Sequence, residues 1–188
     1  MYIITDTPTR TFTGTVATYT EVKQQLNIES TFTDDDSYIT RLIAVAIEQV
    51  EADINADVRN VTNVLTLRID DDTDDSIYRI PRGPYQSFTK LEAKNGATWA
   101  DVPAASYEVT AHGMYIDVEL LIAVPADYLR FTYATGYVTA SLPAKLKHAV
   151  ILKAADLYDT ERSNYAPGQV FDLRTYERLL LEYNCKYW

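Results

Sequence analysis

Apolar residues recur at spacings of three and four between Thr33 and Ile54: Ile39, Leu42, Ile43, Ala46, Ile47, Val50 and Ile54. That period places them on one face of a helix over 34–54, with Thr40, Arg41, Glu48, Gln49 and Glu51 largely on the other. Asp34, Asp35 and Asp36 open it, where negative charge suits the unpaired N–H groups and the positive end of the dipole. Upstream, Thr18 and Glu21 have the spacing of a capping box, and Tyr19, Val22 and Leu26 make a short stripe, which predicts a helix over 18–27. A short loop joins the two, so they pack as a hairpin.

Past Asn55 the period changes. Leu65, Leu67 and Ile69 alternate with Thr66 and Arg68, the signature of a half-buried strand. Further short strands are expected at 77–80, 87–94, 97–101, 107–110, 114–118 and 128–133, with turns at Asn95-Gly96 and His112-Gly113. Helix returns over 142–162, with Ser141 as N-cap and Leu142, Leu146, Ala149, Val150, Ala154, Leu157 and Tyr158 on one face. A loop through Pro167-Gly168 precedes a last helix over 172–183, capped by Asp172, in which Leu173, Tyr176, Leu179, Leu180 and Tyr183 share a face.

The pattern therefore predicts an α+β fold: a helical bundle of two N-terminal and two C-terminal helices with an inserted antiparallel β-sheet of short strands. The expected domains are an extended Thr-rich N-terminal arm at 1–17, a single domain at 18–183 with its β insert at 61–135, and a tail at 184–188. Neither helix pair buries its face alone, so 34–54 and 142–162 should pack together, with the sheet as a separate layer.

Composition narrows the function. Hydrophobic residues make up 47% of the 188, enough for a core. No apolar run reaches the ~18 residues of a membrane helix. The N-terminus has no basic head followed by an apolar stretch, so it does not read as a signal peptide. Cys185 is the single cysteine, which rules out an internal disulfide and fits a reducing cytoplasm. The net charge of −10 falls entirely in residues 1–75, with 5 Lys/Arg against 15 Asp/Glu, while 76–188 carry 12 of each. Tight DNA binding needs clustered cations that the chain lacks. An acidic part beside a neutral part suits head-to-tail contact between copies, or simply gives a solvated acidic face.

The search for chemistry is negative. Asp70, Asp72 and Asp74 have the spacing of a calcium loop, but Asp75 stands where glycine is needed and Pro81 where glutamate is. A solvated loop explains them better than a metal site. His112 and His148 lack a second His or Cys at ligand spacing, Cys185 has no evident base, and no Gly-rich phosphate loop, GxSxG or HExxH occurs. No cofactor is expected. The fifteen tyrosines suit interfaces or a covered sheet. Tyr187 and Trp188, at a chain end, dock on the chain itself or on a partner.

The ordered set of Thr18-Tyr19-Thr20-Glu21, Asp34-Asp35-Asp36, Ile80-Pro81-Arg82-Gly83-Pro84-Tyr85-Gln86-Ser87, Asn95-Gly96, the stretch Leu129 to Tyr137, and Leu142-Pro143-Ala144 resembles the tailed-phage head–tail connector, or adaptor, family. The resemblance runs from Thr18 to Tyr183. It implies a structural, non-catalytic protein of the virion, assembled in the host cytoplasm. It implies a self-assembled ring, expected twelve-fold, beneath the portal protein. The ring extends the DNA channel and offers a platform for a stopper or tail-completion protein. Packaged DNA passes without specific binding, and no membrane is involved. The usual portal contact of the family falls here on Leu179, Leu180, Tyr183, Tyr187 and Trp188. In such a ring Asp70, Asp71, Asp72, Asp74 and Asp75 line the channel or meet a neighbour's Lys145, Lys147 and Lys153; channel or solvent is the favoured place, with Asp34–Asp36 kept for helix capping. The alternatives are a stopper-like completion protein or, from another class, a small-substrate enzyme.

Overall fold

The structure is a computed structural model, and residues 3–4, 9–69, 76–81, 83–162 and 174–183 are described. The chain divides into two compact units: residues 1–13 with 60–137, and residues 14–59 with 138–188.

The second unit is helical. Helix α1 spans Tyr19–Leu26, and its predicted capping box forms, with the Glu21 N–H donating to Thr18 Oγ1 and the Thr18 N–H to Glu21 Oε2. Asn27 ends it in the left-handed region, where a short polar side chain is tolerated. Helix α2 runs Asp36–Ile54 and buries the whole predicted apolar face. Two expectations about α2 change. Asp35, at the N-cap, makes no side-chain cap bond; its carboxylate instead accepts the Tyr158 hydroxyl at 2.7 Å. Glu51, assigned by period to the polar face, is only 3% exposed. Period alone does not see that the chain after the helix turns back over it. Helix α3 covers Ala144–Arg162 and starts after the predicted Ser141 cap. Ser141 ends a 3₁₀ turn and donates to the Val138 carbonyl, while the Lys147 N–H bonds the Pro143 carbonyl. Helix α4, Arg174–Leu180, continues as a 3₁₀ turn over Leu181–Tyr183. As expected, α2 packs on α3, which also receives α1 and α4. The predicted Asp172 cap, Leu173 and the Pro167-Gly168 loop lie outside the described residues.

The first unit is two antiparallel sheets. Strands β1 (Ile3–Ile4) and β2 (Thr9–Thr13) both pair with β3 (Asn60–Arg68). Two strands within residues 1–17 therefore pair with the chain's own sheet. Beyond β3 lie β9 (Tyr128–Thr135), β5 (Tyr85–Asn95) and β6 (Thr98–Asp101). The second sheet has the order β4 (Ile77–Pro81), β8 (Tyr115–Leu120), β7 (Tyr107–Ala111). Alternation does the placing: Leu129, Phe131 and Tyr133 of β9 face inward with Leu65 and Leu67, against Tyr78, Ile80, Ile116 and Val118 of the smaller sheet. The Tyr78 and Phe131 rings meet at 5.7 Å. The Asn95-Gly96 hairpin is present but set one residue on, because Asn95 pairs with Thr98 and the turn residues are Gly96 and Ala97. Gly96 takes the positive φ, +65°, that the first turn position requires.

Candidate interaction surfaces

In the helical unit, polar side chains tie elements that the apolar stripe brings together. Lys23, 2% exposed, pairs with Asp36 and donates to the Phe32 carbonyl, closing the α1–α2 loop. Glu51 accepts from the Val58 and Arg59 N–H groups at 3.1 Å each, and its other oxygen accepts from the Arg59 guanidinium at 2.8 Å. Tyr176 of α4 donates to Asp53 of α2 at 2.7 Å; burial, then the adjoining carboxylate, pushes its phenol pKa up. The sequence carries no periodic sign of these pairs, since each joins residues distant in the chain or on a nominally polar face.

The three predicted basic residues all belong to α3. Each has a partner inside the chain. Lys145 reaches Glu182 at 2.7 Å, which raises the lysine pKa. Lys147 pairs with Glu21. Lys153 sits 5.4 Å above the Tyr176 ring. Of the predicted portal-contact residues, Leu180 is buried within the unit and Leu179 and Tyr183 are half-buried. Leu181 is 71% exposed, off the apolar face to which the helical period assigns Leu179 and Leu180. Tyr187 and Trp188, and Asp70, Asp71, Asp72, Asp74 and Asp75, lie outside the described residues.

Forked arginine–carboxylate pairs tie strands of the sheet unit. Arg130 of β9 grips Glu92 of β5 at 2.6 and 2.8 Å and lies 4.2 Å over the Trp99 ring. That guanidinium, assisted by Lys90, holds the Glu92 carboxyl below its ordinary pKa. Arg79 makes the same forked contact to Asp117, at 2.9 and 3.0 Å, and also lowers that carboxyl's pKa. The ring of His112 stacks on Tyr115 at 4.6 Å. At the Pro-Arg-Gly-Pro segment, Gly83 is buried against the β7–β8 turn, and a Cβ there would fall 2.5 Å from Met114 Cα. Only glycine fits that approach. Arg82 lies outside the described residues. Large apolar side chains stand exposed at Ile77, Leu121 and Ile122.

Among the described residues, no group of three or more His, Cys, Asp or Glu is placed to hold a metal, and no helix is long and apolar enough to cross a membrane.

Residues 17–66 match the family described as "Phage gp6-like head-tail connector protein". They span α1, α2 and the first part of β3. Several solved chains share the fold. One, from the neck of an empty gene transfer agent (GTA) particle computed with C6 symmetry, has a TM-score of 0.70 at 18% identity, covering 91% of this chain and 94% of the other. A second, from the virion of the native GTA particle, has a TM-score of 0.69 at 19% identity, covering 98% and 95%. A third, from the neck of the native particle computed with C12 symmetry, has a TM-score of 0.62 at 18% identity, covering 91% and 94%. No curated protein sequence matches the chain. The resemblance to head–tail connector proteins carried by the residues is thus met independently by the family match over 17–66, and the fold is shared with the GTA chains along nearly the whole chain.

Proposed function

We propose that this chain is a structural, non-catalytic subunit of a head–tail connector ring in a phage-like virion. The observation that carries the reading is the connector-family match over the α1–α2 hairpin and the start of β3. Two of the similar chains belong to particle necks, one computed with C6 and one with C12 symmetry, which supports a ring whose copy number is a multiple of six, read here as twelve. The ring sits beneath the portal, continues the DNA channel and receives the stopper or tail-completion protein. In this reading the end of the chain is the portal contact. Leu179, Tyr183, Tyr187 and Trp188 keep that role, Leu181 joins them, and Leu180 positions the segment from inside. Asp70, Asp71, Asp72, Asp74 and Asp75 give the channel a negative wall that repels phosphate. Lys145, Lys147 and Lys153 serve the neighbouring copy by exchanging their internal partners for its acids.

Co-sedimentation with purified portal tests the reading. The full chain should pellet with portal, and a chain ending at Glu182 should keep its helical circular dichroism but stay in the supernatant. A truncated chain that pellets undiminished removes the tail from the contact. A full chain that ignores portal but binds an assembled connector would be a stopper instead.

A further inference from the structure

The exposed apolar residues of the sheet unit fall on the outer face of its smaller sheet. Ile77, Leu121 and Ile122 are each half exposed or more. Ile77 of β4 and Glu108 of β7 are both direct partners of Glu119 in β8, so the three side chains form one row on one face. Leu120 packs on the core, and the Leu121 N–H donates to the Ser106 carbonyl at 2.9 Å. The ladder thus runs one step past β8, and Leu121 follows Glu119 on the outer side. Tyr78 and Val118, on the inner side, are buried, so the face has a packed backing.

Two rows of this face treat their acids differently. Asp117 has Arg79 across from it on β4, and the guanidinium grips it. In the Glu119 row the β4 position holds Ile77, and the β7 position holds a second glutamate. Among the described residues, the side chains of Glu108 and Glu119 make no hydrogen bond or ion pair. Like charges directly opposite on paired strands repel. The apolar side chains beside them keep water-exposed surface that gains from cover. A cation on an aliphatic stem satisfies both, with its stem over Ile77 and Leu121 and its head between the carboxylates.

The chain carries such a group at the start of α3. Lys145 holds Glu182, but both side chains are open to water, so the pair opens easily. Val138, also exposed, stands in the segment that leads into α3. A cation with an apolar neighbour on the helical unit complements two acids with apolar neighbours on the sheet unit. The two surfaces differ, which is the condition for a head-to-tail contact that closes a ring.

We infer that the outer face of the smaller sheet, at Ile77, Glu108, Glu119 and Leu121, receives the Lys145 end of α3 from a neighbouring copy of this chain. The inference rests on the ring reading above and names the acids that Lys145 meets there.

Full-length chains grown in isotopically light and heavy media are mixed, with and without purified portal, and treated with a carbodiimide, which joins an amine to a carboxylate in contact with it. The link from Lys145 to Glu182 within one chain is the internal control. The expected product is a mixed-label peptide pair joining Lys145 to Glu108 or Glu119. Mixed-label links that form elsewhere and never at this pair overturn the inference and leave the ring standing. The absence of any mixed-label link, with or without portal, overturns both.

Charge exchange, followed by sedimentation of the assembled ring, checks the pairing. Lys145→Glu should weaken assembly about tenfold or more, and so should Glu108→Lys with Glu119→Lys, because each sets like charges together. All three changes in one chain should restore assembly to within about threefold, since every contact is then reversed in sign. Glu108 and Glu119 are exposed, so their replacement leaves the core alone. Lys145→Glu combined with Glu29→Lys and Glu48→Lys has the same net charge, with the new lysines at exposed sites of the helical unit, and should stay weak. Rescue by that control, or none by the matched exchange, overturns the inference.

Discussion

The two units of this molecule place their charged groups differently. In the sheet unit the core cluster is apolar, the buried Asn63–Thr135 pair is neutral, and in the forked pairs Arg79–Asp117 and Arg130–Glu92 the arginine stays part-exposed over its acid, Glu92 itself being buried. In the helical unit charged groups go inside: Lys23 with Asp36, and Glu51 with the turn at Val58 and Arg59. The reason is geometric. A strand pair offers two faces, so alternation alone sends polar residues out. Short helices joined by long excursions leave chain ends and turns whose N–H groups need acceptors, and a carboxylate supplies them from the side. The sheet unit should therefore be broken by lost volume and the helical unit by lost charge.

The largest effect is expected from Phe131→Ala. Phe131 is fully buried at the centre of β9, packed against Tyr78. Its truncation should cost about 3–5 kcal/mol. In native-state hydrogen exchange the loss should appear in the amides of β3, β5 and β9 before those of α2 and α3. Uniform loss of protection in both units would break the contrast. Next comes Glu51→Ala, which strands the Val58 and Arg59 donors and an arginine side chain. Removing one partner of a buried pair costs about 3 kcal/mol or more. Denaturant unfolding followed by helical circular dichroism measures it. A shift under about half a kcal/mol, well below the cost of a stranded buried donor, would show that water takes over the role of the carboxylate.

The same contrast explains what was legible in the sequence. The apolar face of α2 follows a single period, and every residue assigned inward on that basis is buried, while the strand expected at 128–133 forms within β9. The β5–β6 hairpin was readable because few residues accept positive φ; its one-residue displacement reflects register, which the partner strand decides. What stayed hidden depended on distant parts of the chain. Glu51 reads as a surface glutamate until the turn at 58–59 is placed over it. Tyr19 fits the stripe of α1, yet it is exposed, while Lys23 takes the buried position because Asp36 and the Phe32 carbonyl are there to receive it. Among the residues proposed for the portal contact, the pattern distinguishes an apolar face but not which part of it the unit itself consumes.

Acid should separate the units more gently. Glu92 and Asp117 have pKa values lowered first by their arginine partners, Arg130 and Arg79 respectively. A depressed carboxyl pKa adds stability that is fully present above the unfolded value, about 4.3 for Glu and 3.9 for Asp. That contribution is lost as pH falls through the folded value. Unfolding midpoints should thus be level above about pH 5 and decline below about pH 4. Glu92→Gln should flatten the decline. Arg79 is largely exposed, so the share of Asp117 should shrink in high salt. A decline that is unchanged in Glu92→Gln would move the acid sensitivity to the carboxylates of the helical unit.

The smallest effect is expected at Lys145. Its ammonium lies 2.7 Å from both oxygens of Glu182, clasping α3 to the turn after α4. Both side chains are about half exposed or more, at 49% and 64%. Water at that site competes for each charge, and two long side chains lose freedom to hold the pair, so exposed pairs of this kind contribute little. Lys145→Ala should therefore leave the unfolding midpoint where it is. The pair is then free to open at no cost to the fold, which is the condition for Lys145 to serve an acidic neighbour in a ring. Sedimentation of the assembled ring, run against salt, separates the two roles: Lys145→Ala should weaken assembly most at low ionic strength while monomer stability stays level. A drop in monomer stability without any change in assembly would make Lys145 an internal clamp and remove it from the interface.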